Sequence, residues 1–387
     1  MPSAYLDHAA STPMRPEALA ALVEVLEHAP GNPSGQHRWA REARRRLDDA
    51  RDGIAGLLGV EPGGIVFTSG GTEADNLAIR GVLGASGGAA LCSAIEHHAV
   101  LDVVHASGGG TVAVDSAGRL DLDHLADELA ADPRISLVSV LLANNEIGTI
   151  QDLDAVADVL DRARPTHPDG LLLHTDAVAA AAWVDVAALA ERADLITISG
   201  HKVGGPKGIG VLAVRDGVEL APLLLGGGQV RERRSGTPDV GGAVALGAAL
   251  AVTARDRITV VQRVEEQAER LVAGLTAAVD HVRPTVPARS APGVANIVHL
   301  SCREVDSEPL LFLLDEAGVA ASAGSSCASG ALEPSHVVDA LGVAPDWAPG
   351  ALRLSLGWCT TDDEIDHALA VIPAAIAQLR PTAEPAA

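Results

Sequence analysis

The stretch Asp194-Leu-Ile-Thr-Ile-Ser-Gly-His-Lys202 is the most informative part of this sequence. Its apolar part is typical of a buried β-strand, and it ends in Ser-Gly followed by His201 and Lys202. Open α/β sheets bind ligands at the carboxyl ends of their strands, so a lysine lies where a ligand is expected. A desolvated lysine can lose its proton and attack a carbonyl group, although most lysines that follow strands are solvated surface residues.

Further apolar runs on both sides of this stretch predict the other strands of one sheet. Including the first, they cover 65–69, 90–93, 111–114, 135–143, 171–175, 194–199 and 210–214. Helical patterns lie between most of them, for example over 122–131 and 153–163. Strands that are buried on both faces and separated by helices predict an α/β fold with a mostly parallel, seven-stranded sheet.

The C-terminal third has a different organisation. A long helical pattern over 241–279 leads to strands at 296–300 and 352–356, which lie beside helices at 306–317 and 362–379. A chain of 387 residues is long enough for two domains. We therefore predict a large domain over 14–255 and a smaller α+β domain made of 1–13 and 256–387.

Composition and charge exclude several classes of function. The formal net charge of −23 argues against direct binding of nucleic acid, which needs a basic surface. No segment has the length of a membrane span, and the N-terminus does not resemble a signal peptide. Cys92, Cys302, Cys327 and Cys359 show neither CxxC nor metal-ligand spacing, so we expect a cytoplasmic protein without a metal site.

Polar residues follow several of the predicted strands. Ser69-Gly-Gly-Thr72-Glu-Ala-Asp75 is typical of a strand, a glycine turn and a helix that Thr72 caps. Such a helix start binds anions through its exposed N–H groups, although the same turn is often a plain helix cap. Asp176, Asn145 and His97 follow other strands in the same manner.

These strand ends together suit one kind of ligand. A buried aspartate needs a partner, and either a heterocyclic N–H⁺ group or a hydrogen-bond donor of the protein could be that partner. A phosphorylated pyridine aldehyde requires a phosphate cradle, a lysine that forms a Schiff base and an acidic partner for its ring nitrogen. Gly71 with Thr72, Lys202 and Asp176 meet these requirements.

Nine motifs follow one another in the order of a known family. They begin at Tyr5, Gly31, Thr68, Asn144, Ser199, Arg234, Gly324, Glu333 and Arg353. Through these motifs the chain resembles the class V, fold type I, pyridoxal-phosphate enzymes, and among them the group I cysteine desulfurases of the nitrogen-fixation and iron–sulfur assembly type. It is also similar to the desulfurase of the DNA phosphorothioation pathway.

The resemblance implies a role for each matching residue. Lys202 binds pyridoxal 5'-phosphate covalently and moves the substrate's Cα proton, Asp176 pairs with the ring nitrogen, and His97 stacks on the ring and serves as acid or base. Asn145 supports the phenolic oxygen, and Arg353 with Asn32 binds the substrate carboxylate. The residues implied to hold the phosphate are Gly71, Thr72, Ser199, His201 and, from the partner subunit of a homodimer, Thr237.

One position departs from the family pattern. Ala179 replaces the glutamine that usually lies three residues beyond the ring aspartate, which removes one hydrogen bond to the phenolic oxygen. Such a bond is worth about 1 kcal/mol, so we expect weaker cofactor binding or an altered absorption maximum without loss of function.

Cys327 is the predicted nucleophile. It lies in a stretch of small residues, 320–331, that has no apolar periodicity, so we expect a mobile loop instead of a buried thiol. The resemblance then implies that L-cysteine is converted to L-alanine while its sulfur passes to Cys327 as a persulfide and on to an acceptor protein. The alternatives are a selenocysteine lyase or aminotransferase of the same fold, and a cofactor-free scaffold.

Overall fold

The computed structural model describes residues 3–167, 170–228, 232–287, 290–324 and 335–380. Among the helices in these ranges, none combines the length and the apolarity that crossing a membrane requires. The strands are β1 (Ala4–Tyr5), β2 (Ile65–Thr68), β3 (Ala89–Ser93), β4 (Gly110–Val112), β5 (Ile135–Ser139), β6 (Leu172–Asp176), β7 (Leu195–Ser199), β8 (Gly210–Val214), β9 (Val282–Pro284), β10 (Ile297–Cys302), β11 (Val319–Ala320) and β12 (Ala351–Ser355). The α-helices are α1 (Pro16–His28), α2 (Arg38–Leu58), α3 (Gly71–Ser86), α4 (His98–Ala106), α5 (Leu122–Ala131), α6 (Leu153–Ala163), α7 (Val186–Leu189), α8 (Val240–Ala278), α9 (Ser307–Glu316), α10 (His336–Ala340) and α11 (Asp362–Leu379).

The main sheet has seven strands in the order β2-β8-β7-β6-β5-β3-β4. β8 is antiparallel to both of its neighbours, β7 and β2, whereas the remaining pairs are parallel. This confirms the mostly parallel α/β sheet. The predicted strand 135–143 is too long, because β5 ends at Ser139, although the amides of Val140 and Leu142 still donate to carbonyls of β6.

Both faces of this sheet are covered, and the strand sequences explain why. Along β7, Ile196 and Ile198 belong to one apolar cluster and Leu195 to another. Along β8, Val211 and Leu212 divide between the same two clusters. Successive side chains of a strand point to opposite faces, so near-continuous apolar runs are required where helices cover both sides.

A second apolar core lies outside this sheet. It combines Ala4 and Leu6 of the N-terminal segment with the end of α8, the strands β10 and β12, and the helices α9 and α11. β12, β10 and β9 form an antiparallel sheet, and β1 pairs with β11 in parallel. The two cores support, as a proposal, the division into 14–255 and into 1–13 with 256–387, with the 39-residue helix α8 joining them.

Candidate active site

A cavity of about 340 Å³ lies at the carboxyl ends of the parallel strands. This volume is within the range of roughly 300–1,000 Å³ that is usual for small-molecule sites. Of the predicted site residues, the cavity is lined by Gly71, Thr72, His97, Asn145, Asp176, Ser199, His201, Lys202 and Arg353. Within the described ranges, Asn32 and Thr237 are not among its lining residues. Cys327 lies outside the described residues.

The start of helix α3 forms one end of the cavity. The helix begins at Gly71, and its N-cap is Gly70, whose φ of 151° is suited to glycine. The predicted cap by Thr72 is wrong, because Thr72 lies inside the first turn and Gly70 takes the N-cap without a side-chain hydrogen bond. The amides of the first turn and the helix dipole favour an anion at this position.

Lys202 follows β7 in a short 3₁₀ turn. Its Nζ donates to the carbonyl oxygen of Ala10 at 2.9 Å and to that of Ala9. Ala9 and Ala10 belong to the N-terminal motif that begins at Tyr5, so this segment folds across the sheet edge and holds the lysine side chain. These contacts place the amine on the wall of the cavity.

Asp176 ends β6 and is only 7% exposed. Its Oδ1 accepts a hydrogen bond from the amide of Val178 at 2.8 Å. Burial raises the pKa of Asp176 to about 6, while that hydrogen bond and the charge of Lys202 oppose the rise. The carboxylate is therefore mostly ionised at neutral pH and can pair with a cationic ring nitrogen.

His97 is the N-cap of helix α4, and its Nδ1 accepts a hydrogen bond from the amide of Ala99 at 3.1 Å. Burial, together with the charges of Lys202, His98 and His336, lowers its pKa to about 4. Since Nδ1 is an acceptor, the neutral ring carries its proton on Nε2. A neutral imidazole at this position can stack on an aromatic ring and donate a hydrogen bond from Nε2.

Two buried carboxyl groups beside Asp176 were not assigned from the sequence. Asp75 on α3 and Glu96 before α4 both line the cavity. Glu96 Oε1 accepts from the amide of Leu141 at 2.7 Å, whereas Glu96 Oε2 and Asp75 Oδ1 have no hydrogen-bond partner among the described residues. Burial raises the pKa of both groups, and the charge of Asp176 adds to the rise in each. These shifts favour the neutral form of Asp75 and Glu96, so that Asp176 is the better negative partner for a cation.

Arg353 lies on β12 and is 2% exposed. Its Nη2 pairs with Asp7 at 2.8 Å, and its Nη1 donates to the carbonyl oxygen of Asn145 at 3.1 Å and to that of Gly324 at 3.4 Å. Its buried Nε has no partner within the described part of the chain. A guanidinium held in this way is oriented for an anionic substrate group.

Thr237 and Asn32 have other surroundings. Thr237 lines a separate cavity of about 100 Å³ together with Arg234, whose Nε pairs with Glu73 on α3 at 2.9 Å. The side-chain oxygen of Asn32 accepts a hydrogen bond from the amide of Ser34 at 2.9 Å. Within one chain, therefore, neither residue lines the larger cavity, where the phosphate and the substrate are predicted to bind.

The described cysteines have environments that suppress reactivity. Cys92 and Cys302 are fully buried, and burial raises the pKa of both thiols. Cys359 is only half-buried, although burial still raises its pKa. A raised pKa means less of the reactive thiolate at neutral pH.

Comparison with known proteins identifies the family. The model of the class-V aminotransferases matches residues 4–368. An IscS-like cysteine desulfurase of Mycobacterium tuberculosis is 38% identical over 99% of this chain and 99% of its own length. The cysteine desulfurase NifS of Azotobacter vinelandii is 38% identical over 98% of this chain and 94% of its own length. The chain therefore belongs to the class-V aminotransferase family, among the cysteine desulfurases of the IscS and NifS type.

Solved structures agree with this assignment. A NifS-like protein superposes with a TM-score of 0.89 at 30% identity, covering 98% of this chain and 100% of its own. DndA of Streptomyces lividans superposes with a TM-score of 0.72 at 30% identity, covering 91% and 99% of the two chains. The structure of SspA in complex with cysteine gives a TM-score of 0.76 at 28% identity, covering 93% of this chain and 100% of its own. The fold is that of a fold type I enzyme.

Proposed function

We propose that this protein is a pyridoxal-phosphate-dependent cysteine desulfurase that converts L-cysteine to L-alanine and carries the sulfur as a persulfide on Cys327. The observation that supports it best is the cavity itself. It brings together the amine of Lys202, the carboxylate of Asp176, the helix start at Gly71 and the guanidinium of Arg353. Full-length relatives named cysteine desulfurase and a neighbour solved in complex with cysteine support the choice of substrate.

The lining of the cavity fits pyridoxal phosphate. The amides of Gly71 and Thr72, with Ser199 and His201, would hold its phosphate, and Asp176 would pair with its ring nitrogen. A side chain in place of Gly71 would crowd the lining of the cavity, because a Cβ there would lie 3.0 Å from Val178 Cγ2. When bound, the cofactor supplies an aldehyde that captures the substrate amine and an electron-withdrawing ring that acidifies its Cα–H bond.

The residues of this chain have separate tasks in that chemistry. Arg353 orients the substrate through its carboxylate, and its bonds to Asp7 and Asn145 fix the guanidinium. The amine of Lys202 takes the Cα proton of the substrate and later returns it. His97, neutral and protonated on Nε2, would stack on the ring and donate a hydrogen bond from Nε2, and it can take up a proton only if Nδ1 gives up its bond from the amide of Ala99.

Sulfur removal requires a nucleophile, and we assign that role to Cys327. Its thiolate attacks the substrate's Sγ, so that an S–S bond forms as the Cβ–Sγ bond breaks. The electron pair of the broken bond stays on the substrate carbon skeleton, which is protonated and leaves as L-alanine. The sulfur stays on Cys327 until the thiol of an acceptor takes it.

We further propose a cytoplasmic homodimer in which Thr237 of each subunit contacts the phosphate in the other subunit's site. Its location in a separate cavity beside Arg234 supports this. The acceptor is a protein, and the resemblance implies either DNA phosphorothioation or iron–sulfur cluster assembly as the destination. Incubating the persulfide form with purified candidate acceptors would distinguish them by which one takes up sulfur.

Replacing Cys327 tests the proposal. Cys327→Ser should bind L-cysteine and change the cofactor's absorption, yet release almost no alanine. Cys359→Ser is the matched control, because it removes a half-buried thiol and should retain activity. Unchanged alanine release in Cys327→Ser would favour a selenocysteine lyase, whereas conversion of L-cysteine to its keto acid without alanine would favour an aminotransferase. A protein that stays colourless with pyridoxal phosphate would favour a scaffold.

A further inference from the structure

Glu146 contacts Gly324 and Ser335, the two described residues that flank the segment 325–334, to which Cys327 belongs. At the far end, Ser335 Oγ donates to Glu146 Oε2 at 2.6 Å. At the near end, Gly324 lies so close that a Cβ on it would be 2.6 Å from the same oxygen. The two residues that bound the segment in sequence therefore meet at one carboxylate oxygen.

Glu146 is well placed to fix these positions. It is 3% exposed, and its amide donates to the side-chain oxygen of Asn144 at 2.8 Å, which ties it to the loop after β5. The next residue towards the N-terminus, Asn145, lines the cavity and bonds Arg353 through its carbonyl group. The carboxylate is thus coupled to the substrate-binding wall.

Gly324 and Ser335 each have further contacts that fix their positions. Gly324 has a φ of 105°, which other residues rarely adopt, and its carbonyl oxygen accepts from Arg353. Ser335 is the N-cap of helix α10, since its Oγ accepts from the amide of Val337 at 3.1 Å while donating to Glu146. His336 then donates from Nε2 to the carbonyl oxygen of Glu96 at 2.9 Å.

From this geometry we propose that Glu146 is a positioning residue for sulfur transfer, which holds Gly324 and Ser335 together at the cavity so that Cys327 can reach the substrate sulfur. The inference rests on the proposed function and deepens it. Glu146 lines the cavity, but its carboxylate bonds Ser335 and is not among the residues that would hold the cofactor or the substrate. Its removal should therefore impair the step that uses Cys327 and spare the step that uses Lys202.

Two measurements on the cofactor-loaded enzyme separate these steps. The first is the rate at which a persulfide forms on Cys327 in a single turnover with L-cysteine, followed by mass spectrometry. The second is the exchange of the Cα hydrogen of L-alanine with deuterium from solvent, which needs Lys202 and not Cys327. Losing this hydrogen bond, which leaves the remaining partner buried and unsatisfied, should slow persulfide formation about tenfold or more in Glu146→Ala and in Ser335→Ala. The exchange rate should stay within about twofold of wild type.

Conservative and control variants exclude a merely structural effect. Glu146→Gln should restore most of the persulfide rate, because its amide oxygen can still accept from Ser335 Oγ. The double variant Glu146→Ala with Ser335→Ala should be no slower than either single variant. Ser301→Ala removes a buried hydroxyl that bonds Thr285 at 2.7 Å in the smaller core, and it should leave both rates unchanged.

Several outcomes would overturn the inference. These are a wild-type persulfide rate in Glu146→Ala, an equal loss of hydrogen exchange, a failure of glutamine to rescue, or the same loss in Ser301→Ala. If the wild-type enzyme itself forms no persulfide on Cys327, the proposed function fails as well. An active wild type with an unaffected Glu146→Ala variant would refute the role of Glu146 alone.

Discussion

Replacing Ala179 by glutamine should strengthen cofactor binding. Ala179 lies in the turn after β6, three residues beyond Asp176, and it lines the cavity, which has room for a longer side chain. Asn145 is the amide side chain already on the wall. A glutamine would add one hydrogen bond to the cofactor's phenolic oxygen, worth about 1 kcal/mol. This corresponds to about a fivefold lower dissociation constant for pyridoxal phosphate.

The assay is a titration of the cofactor-free protein with pyridoxal phosphate, followed by absorbance. Ala179→Leu is the control, because it fills similar space without a hydrogen-bonding group, and it should bind no more tightly than wild type. The absorption maximum should move in the glutamine variant and stay in place in the leucine variant. Equal dissociation constants for wild type and Ala179→Gln would refute the reasoning, and so would equal tightening by leucine.

Three other predictions concern the lysine, the subunit contact and the buried acid. In Lys202→Ala, borohydride should not attach the cofactor covalently to the protein, and no alanine should be formed. Covalent labelling of another lysine would contradict this. Mixing Lys202→Ala with Thr237→Ala subunits should restore activity in heterodimers, whereas no recovery beyond either parent would exclude a shared site. Burial raises the pKa of Glu96 in the folded protein. Glu96 therefore lowers the free energy of unfolding more as the pH rises above the pKa of the unfolded chain, about 4.3. Glu96→Gln should therefore gain thermal stability relative to wild type between pH 5 and pH 8, and a difference in melting temperature that does not change with pH would be contrary to this.

The strand ends could be read from the sequence because the signal there is local. β7 is an unbroken apolar run that ends in Ser-Gly, and β8 is found where it was predicted. Helix α11 has the predicted bounds, since a capping box formed by Thr361 and Glu364 begins it. Parallel strands bring their carboxyl ends to one edge, so the side chains that follow them meet in the cavity.

Other features depend on contacts between distant residues, which local patterns do not contain. β1 and β11 have two residues each and exist because they pair with one another. The carbonyl groups of Ala9 and Ala10 meet Lys202 across almost two hundred positions of sequence. Glu146 lies in the motif that begins at Asn144, but the sequence predicts no role for it, because its partners Gly324 and Ser335 are close to it only in the folded chain.

Mass analysis of Cys327 after one turnover tests the central claim most directly. The cofactor-loaded enzyme is mixed with L-cysteine in the absence of reductant and acceptor, quenched with an alkylating agent and digested. A cysteine desulfurase that uses Cys327 should carry one additional sulfur atom on the peptide that contains this residue, together with one L-alanine released per active site. Alanine released without sulfur on Cys327, or sulfur found on Cys92, Cys302 or Cys359 instead, would contradict it.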